Sequence, residues 1–304
     1  MSERSARATP RRRRPDPELL GRVESMAVRA RERHWALLPE ALARRLKPLG
    51  RRFADGFATL MSGSESLRVN RVIGVGHRQR VSRALLAEII QFYRDAGIHR
   101  FGFELGPGPQ FRELGEWLEV LGLVRRGGFS LYLRDLRRPI EAGAGEVVAK
   151  QARGTNLTRS IELAERIFSV PASRRSWTLA SARSGQREHF LASIGATPIG
   201  VGALQVEGEL AWLGGGGTLT RYRRRGAQSA LIAARLRRAA ALGCRWAWSE
   251  TAAPRPGRPQ GSRRNLLRLG FEEVLVKPSF VWEGGARGAS PLKPHGRVGR
   301  GSRS

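Results

Sequence analysis

The chain is 304 residues long, enough for two domains, and its 40% hydrophobic content suits globular cores. The formal charge is +29 and comes almost wholly from arginine, since Lys47, Lys150, Lys277 and Lys293 are the only lysines. Cys244 is the only cysteine, which excludes an intramolecular disulfide and a cysteine metal cluster; no apolar run approaches a membrane span, and His34, His77, His99, His189 and His295 show no ligand spacing.

Residues 1–15 read as a disordered basic tail. Arg11 to Arg14 are not followed by the apolar stretch of a secretory signal, and Pro10 and Pro15 interrupt any amphipathic transit helix. Residues 1–14 carry six arginines and Glu3, and residues 287–304, a second flexible tail, carry four arginines and Lys293; +19 remains for residues 15–286. Such a field draws in anionic cofactors and permits nonspecific nucleic-acid contact; arginine-biased composition is the plainer reading.

Residues 16–45 hold a helix candidate, with Leu19-Leu20, Val23, Met26-Ala27 and Ala30 at helical spacing. Residues 46–140 then read as an α/β unit: strand Leu67–Val75, helix Val81–Ala96, strand Ile98–Leu105, helix Glu113–Leu121, strand Ser130–Leu133. With the leading helix this makes a first domain over 16–140. A linker from Ile140 to Gly145 leads into a second domain, 145–284, whose early helices are Asn156–Phe168 and Ser176–Ser184. Trp177 and Trp212 are either core or lining of a substrate site.

The most telling stretch of the second domain is strand, basic glycine turn, helix. An apolar run through Gly214 to Leu219 leads to Arg223-Arg224-Arg225-Gly226-Ala227-Gln228, and an Ala-rich helix follows from Ser229. The first N–H groups of a helix have no intrahelical acceptor, and the dipole adds positive potential there. Gly226 lets the backbone approach a phosphate, and the arginines add forked donors. A solvated basic turn is the plainer alternative. Ala227, Ala230, Leu231, Ala234 and Ala241 recur on one helix face and tie it to a core. The expected ligand carries a pyrophosphate. Gly243 stops the helix, Cys244 reads as packing, and Arg245 to Thr251 alternate as a strand.

These residues resemble the coenzyme A motif of the GNAT acyltransferases, Q/R-x-x-G-x-G/A, with Arg223 first, Gly226 fourth and Gln228 departing from the last position. Ser262 to Phe271 is similar to the family's last helix and its L-G-F entry into the final strands, so the resemblance covers about residues 145–284. An internal repeat extends it: Gly97 to Phe103 echoes Gly243 to Trp248, and Leu118 to Leu123 echoes Leu266 to Phe271. Counting back from the turn lands on His77-Arg78-Gln79-Arg80, where Arg80 takes the place of Gly226. The fold implied is α/β (α+β mixed): two GNAT-like domains, each a mixed central sheet flanked by helices, the first degenerate and without its pyrophosphate cradle.

The resemblance further implies acetyl-CoA as co-substrate and no metal. Its pyrophosphate would meet the N–H groups of Arg224, Arg225, Gly226, Ala227, Gln228 and Ser229, with Arg223 adjacent; its pantetheine arm would run along Gly217, Thr218 and Leu219. Gly214 to Gly217 then read as a bulge or a close backbone approach, or else as a loop. Glu250, on the face of Trp246 and Trp248 at a strand end, is the candidate general base, against the alternative of a solvated carboxylate. Glu207 and Glu209 flank a turn at Gly208 and read as exposed. Leu266 stands where many members carry an acid tyrosine, so the proton donor is open. Asn265 contacts the cofactor or caps its helix. The expected protein is cytoplasmic and acetylates an amine of a small molecule or peptide. A coenzyme A-binding protein without turnover, or a nucleic-acid binder on this scaffold, are the alternatives.

Overall fold

The computed structural model describes residues 16–141 and 145–284. The tails expected at 1–15 and 287–304, and residues 142–144 of the expected linker, lie outside the described residues. Asp16 caps α1 (Pro17–Ala36): its carboxylate accepts from the Glu18 N–H, and Pro17 takes the first helical position, where no N–H is needed. After α2 (Glu40–Leu46), β1 (Pro48–Phe53) and β2 (Gly56–Met61) form a hairpin turning at Ala54-Asp55. β3 is only Arg71–Ile73, which corrects the expected strand over 67–75; residues 67–70 are turn and bend. Next come α3 (Arg83–Asp95), β4 (Arg100–Glu104), α4 (Phe111–Val120) and a β5 (Val124–Asp135) longer than expected.

The second half runs β6 (Val147–Gln151), α5 (Thr155–Phe168), α6 (Arg175–Arg183), β7 (Glu188–Ile194), β8 (Thr197–Glu207), β9 (Leu210–Thr218), α7 (Ala227–Ala241), β10 (Trp246–Ala252), α8 (Gly261–Arg268) and β11 (Glu272–Glu283). All eleven strands join one sheet, in the order β1-β2-β3-β4-β11-β5-β10-β9-β8-β7-β6. The halves exchange their last strands. β11 pairs antiparallel with β4 of the first half, and β5 pairs antiparallel with β10 of the second. The chain is divided at the linker, but the sheet is not.

Alternation along the strands assigns the two faces. Tyr132 and Ala247 join Leu231 and Leu236 of α7 and Leu266 of α8 in one core. Phe101, Phe103 and Phe280 pack under α3 and α4, with Phe101 stacked on Tyr93 at 3.9 Å. On the other face Leu131, Leu133 and Trp248 meet Leu19, Val23 and Met26 of α1. α1 therefore lies across the junction, against β5 of the first half and β10 of the second, with Val28 packed on Phe57 and Ile73. Arg22 reaches Glu209, while Arg29 and Arg33 both reach Glu207, so Glu207 is half-buried and not exposed as expected. Trp177 of α6 is core: it stacks on His34 at 4.4 Å and donates its indole N–H to the His34 carbonyl.

α7 buries more of its surface than its alanine stripe implies. Ile232, Ala233, Arg235 and Ala239 are buried with Ala227 and Leu231, whereas Ala241 is exposed. Arg235 donates to the carbonyls of Ala203, Gly214 and Leu231. Burial lowers its pKa to about 10, so it remains a cation at neutral pH. Cys244 is buried, in keeping with a packing role, and burial pushes its thiol pKa up.

Candidate active site

β9 and β10 run parallel for three ladder pairs, the last being Trp248 with Trp212. Ser249 Oγ then donates to the Leu213 carbonyl at 2.7 Å, and beyond it the strands part. β9 bulges at this fork. Against β8 its register jumps from Gly214 opposite Ala203 to Gly217 opposite Val201, and Gly215 sits at φ 58°. Gly214 and Gly217 have a different reason for lacking a side chain. A Cβ on Gly214 would fall inside the Trp212 ring, and one on Gly217 would come within 2.5 Å of Ile167 and 2.9 Å of Phe168. The run is therefore ordered strand, part bulge and part close packing.

The turn follows directly. Gly226 is the N-cap of α7 at φ 84°, and Arg224 also has a positive φ, 65°. No side chain caps the helix, and the first intrahelical bond is from the Ala230 N–H to the Gly226 carbonyl. Among the described residues, no acceptor lies against the backbone N–H groups of Arg224 through Ser229. These orphan donors, with the positive helix end behind them, fit a pyrophosphate. Arg223 and Arg224 are exposed beside them, while Arg225 pairs with Glu146 at 2.7 Å. The Gln228 side chain ties the turn to the strand, donating to Thr218 Oγ1 at 2.9 Å. Leu219 closes β9, its N–H bonded to the Ile199 carbonyl.

Glu250 projects from β10 to the opposite face, the face of α1. It shares a cavity of about 140 Å³ with Trp212, Trp248, Glu24, Glu104 and Lys277. Lys277 Nζ stands 2.5 Å from Glu250 Oε1 and 3.1 Å from Glu24 Oε2. Burial pushes the Lys277 pKa down, but Glu24, Glu250 and Glu104 outweigh it and hold the ammonium above the usual lysine value. Glu250 Oε1 is buried, and the Lys277 ammonium is the polar group that stands against it. Asn265 lies inside α8, where its Oδ1 accepts from Arg268 at 2.7 Å; Gln260 holds the N-cap, which corrects the capping expectation. Leu266 is in the core. Sequence reading passed over Glu24, Glu104 and Lys277, whose signal is only that charged residues interrupt apolar elements.

No protein-family model matches the chain, and no curated protein matches it significantly. Solved structures match well. A GCN5-related N-acetyltransferase from Kribbella flavida superposes with a TM-score of 0.59 over 86% of this chain and 96% of its own, at 15% identity. One from Sphaerobacter thermophilus gives 0.56 over 90% and 95%, at 17% identity. A tandem GNAT protein from the clavulanic acid biosynthesis pathway gives 0.57 over 77% and 79%, at 17% identity. The chain has the GNAT fold.

The first half of this GNAT fold shows what became of its own cradle. The β3–α3 loop also turns successive N–H groups inward, but they meet Asp55 from the β1–β2 turn. Asp55 Oδ1 accepts from Gly76 at 2.7 Å, and Oδ2 accepts from Arg78 at 2.6 Å and Gln79 at 3.2 Å. Ser82, not Arg80, is the N-cap of α3, and its hydroxyl accepts from the Leu85 N–H. Gln110 Oε1 accepts from Val81. His77 Nδ1 bonds with the Gly74 carbonyl at 2.6 Å and lies 3.2 Å from Asp55 Oδ2, while Nε2 bonds with Ser25 Oγ at 2.7 Å. Asp, His and Ser fall in line as in a triad, but Nδ1 is held by a carbonyl, Ser25 and His77 are both buried, and neither lines the two cavities described here, so the chain is structural. Among the described residues, no group of His, Cys, Asp and Glu is placed to hold a metal, and no helix is long and apolar enough to cross a membrane.

Proposed function

We propose that the chain is an acyl-CoA-dependent N-acetyltransferase whose one cofactor site lies in its second half. The observation that carries this reading is the row of unaccepted N–H groups from Arg224 to Ser229, set beside a β9 strand that has parted from β10. Those donors suit the pyrophosphate of acetyl-CoA. The open edge of β9 through Gly217 and Thr218 to Leu219 suits its pantetheine amides, as an added strand would. Acetyl-CoA supplies the activated acyl group. On the α1 face Glu250 accepts the proton of the acceptor ammonium, while Trp212 and Trp248 keep the site partly dry. Lys277 anchors the carboxylate from one side and leaves the other free. The amine nitrogen then bonds to the acyl carbon, and as the carbon–sulfur bond breaks the nitrogen gives its second proton to water, which protonates the thiolate, because Leu266 offers no acid. The proton on Glu250 passes to solvent. A backbone N–H at the Gly215–Gly216 bulge polarises the carbonyl.

Calorimetric titration with acetyl-CoA tests the cofactor site. Wild type binds, and Gly226→Asp, which puts a carboxylate where the phosphates sit, abolishes binding. Gly226→Asn carries the same left-handed backbone strain without the charge and retains binding. Equal affinities for wild type and the Asp variant would sink the assignment.

A further inference from the structure

The larger of the two cavities is not at the turn. It measures about 610 Å³, the size of a small-molecule site, and lies on the α1 face at the end of β10, below the loop that leads to α8. Its floor comes from both halves: β4 and β11 meet beneath it, with Gly102 opposite Val281. Seven arginines and a single carboxylate, Glu104, line it. Glu104 pairs with Arg71, and two more of the arginines, Arg100 and Arg126, reach outward to Glu283. Among the described residues, no carboxylate lies against Arg68, Arg255 or Arg258.

Most of these arginines are exposed to solvent but gathered around the cavity. Arg255 lies along β5: its guanidinium covers Gly127, where an added Cβ would displace it, and donates to the Arg126 carbonyl at 2.9 Å. The first turn of α8 also faces the cavity, through Gln260, Ser262 and Arg263, and it has no side-chain cap. Its open N–H groups add to the positive field. Forked guanidinium donors gathered around a void recognise planar or tetrahedral oxyanions.

Arg71 and Glu104 line this cavity and also the smaller one that holds Glu250 and Trp248, so the two adjoin across that ion pair. We propose that the arginine cavity anchors the acceptor by an anionic group, which makes the acceptor an amine that also bears a phosphate or carboxylate. The acceptor's amine extends past Glu104 to Glu250. The amine's role rests on the acetyltransferase reading; the anion site rests on the arginines alone.

Calorimetry on the full chain, at near-physiological salt, tests the anion site with inorganic pyrophosphate and citrate as probes. Wild type binds at least one of them. Arg68→Ser/Arg258→Ser weakens that binding tenfold or more, whereas removing two exposed arginines elsewhere, Arg94→Ser/Arg237→Ser, does not. Gly226→Asp removes any pyrophosphate binding at the turn; the binding that persists in it, and that Arg68→Ser/Arg258→Ser removes, belongs to the cavity, which separates the two anion sites. In Gly226→Asp, pyrophosphate binding alone identifies a phosphate-bearing acceptor and citrate binding alone a carboxylate-bearing one. Failure of both probes to bind Gly226→Asp overturns the proposal. So does equal weakening in the two double variants, or no weakening in Arg68→Ser/Arg258→Ser. Acetyl-CoA binding is measured on the same samples. If it is absent while the anion site persists, the transferase reading falls and the anion site stands.

Discussion

The β3–α3 loop and the β9–α7 loop hold the same place in the order of elements and treat their backbone donors in opposite ways. Both curl N–H groups inward beneath the start of a helix. In the first half Asp55 swings in from the neighbouring hairpin and accepts three of them. In the second half, among the described residues, no acceptor does so. An anion cradle is thus a property of backbone geometry, and it becomes a binding site only where the chain does not supply its own anion. The helix starts differ accordingly: Ser82 caps α3 with its side chain, whereas Gly226 caps α7 with none.

Removing the internal anion is the most disruptive way to break this contrast. Asp55→Ala removes the acceptor of the partly buried Gly76 N–H and of the Arg78 and Gln79 N–H groups, which can turn to water instead. One charge-assisted bond contributes about 1.5–3 kcal/mol, so a loss of about 2 kcal/mol is expected in urea denaturation, partly restored by sulfate entering the vacated nest. Gly226→Asp, which adds a carboxylate to the other loop, abolishes ligand binding and costs little stability. If Asp55→Ala unfolds like wild type, those donors have other partners and the two loops do not differ as described.

The acceptor face offers a second contrast. The repeat that sets Gly97 against Gly243 also sets Glu104 of β4 against Glu250 of β10, and both carboxylates line the smaller cavity. Only Glu250 lies on a strand that parts from β9, and it sits inside that strand, opposite Leu131, and not at its end as expected. Glu250→Gln is expected to lower turnover at neutral pH by about 10²-fold while leaving acetyl-CoA affinity intact, the usual contribution of a positioned base. Glu104→Gln is expected to raise KM for the acceptor and change kcat less. A larger kcat loss for Glu104→Gln would move the base to the first half.

The turn at 223–228 and the bounds of α7 could be read in advance because their causes are local: a glycine, an uncapped helix start, a run of small residues. The first half was misread where the cause lay elsewhere in the chain. The hairpin of β1 and β2 turns at Ala54-Asp55, and neither strand alternates in burial, so sequence reading passed it over. Counting from the repeat placed Arg80 against Gly226, but the β3–α3 loop is longer than its counterpart and the cap falls at Ser82. The exchange of β5 and β11 leaves no mark in either strand, since an apolar strand pairs equally well with either neighbour. Glu207 looked exposed because Arg29 and Arg33, its partners, lie about 175 residues away on a helix that no local pattern docks there.

That docking sets the last and smallest effect. His34 of α1 stacks on Trp177 of α6, and its Nδ1 bonds with Ser181 Oγ at 3.0 Å, so it joins the first half to the second. Burial, helped by the charges of Arg187 and Arg31, lowers its pKa from 6.5 to about 3. The unfolded chain therefore takes up a proton below pH 6.5 that the folded chain refuses until about pH 3. Stability from this group is complete above pH 6.5 and falls as the pH drops toward 3, at up to about 1.4 kcal/mol per unit. Near pH 5.5 the loss amounts to about 1.4 kcal/mol. His189, whose pKa is lowered by burial and Arg187, steepens the fall in the same direction. His34→Gln loses the aromatic stack and starts less stable, so the comparison is one of slopes: its unfolding free energy changes less between pH 7 and pH 5 than that of wild type. Parallel slopes would place His34 in water, and with it would go the seat of α1 against α6 that holds the two halves in register.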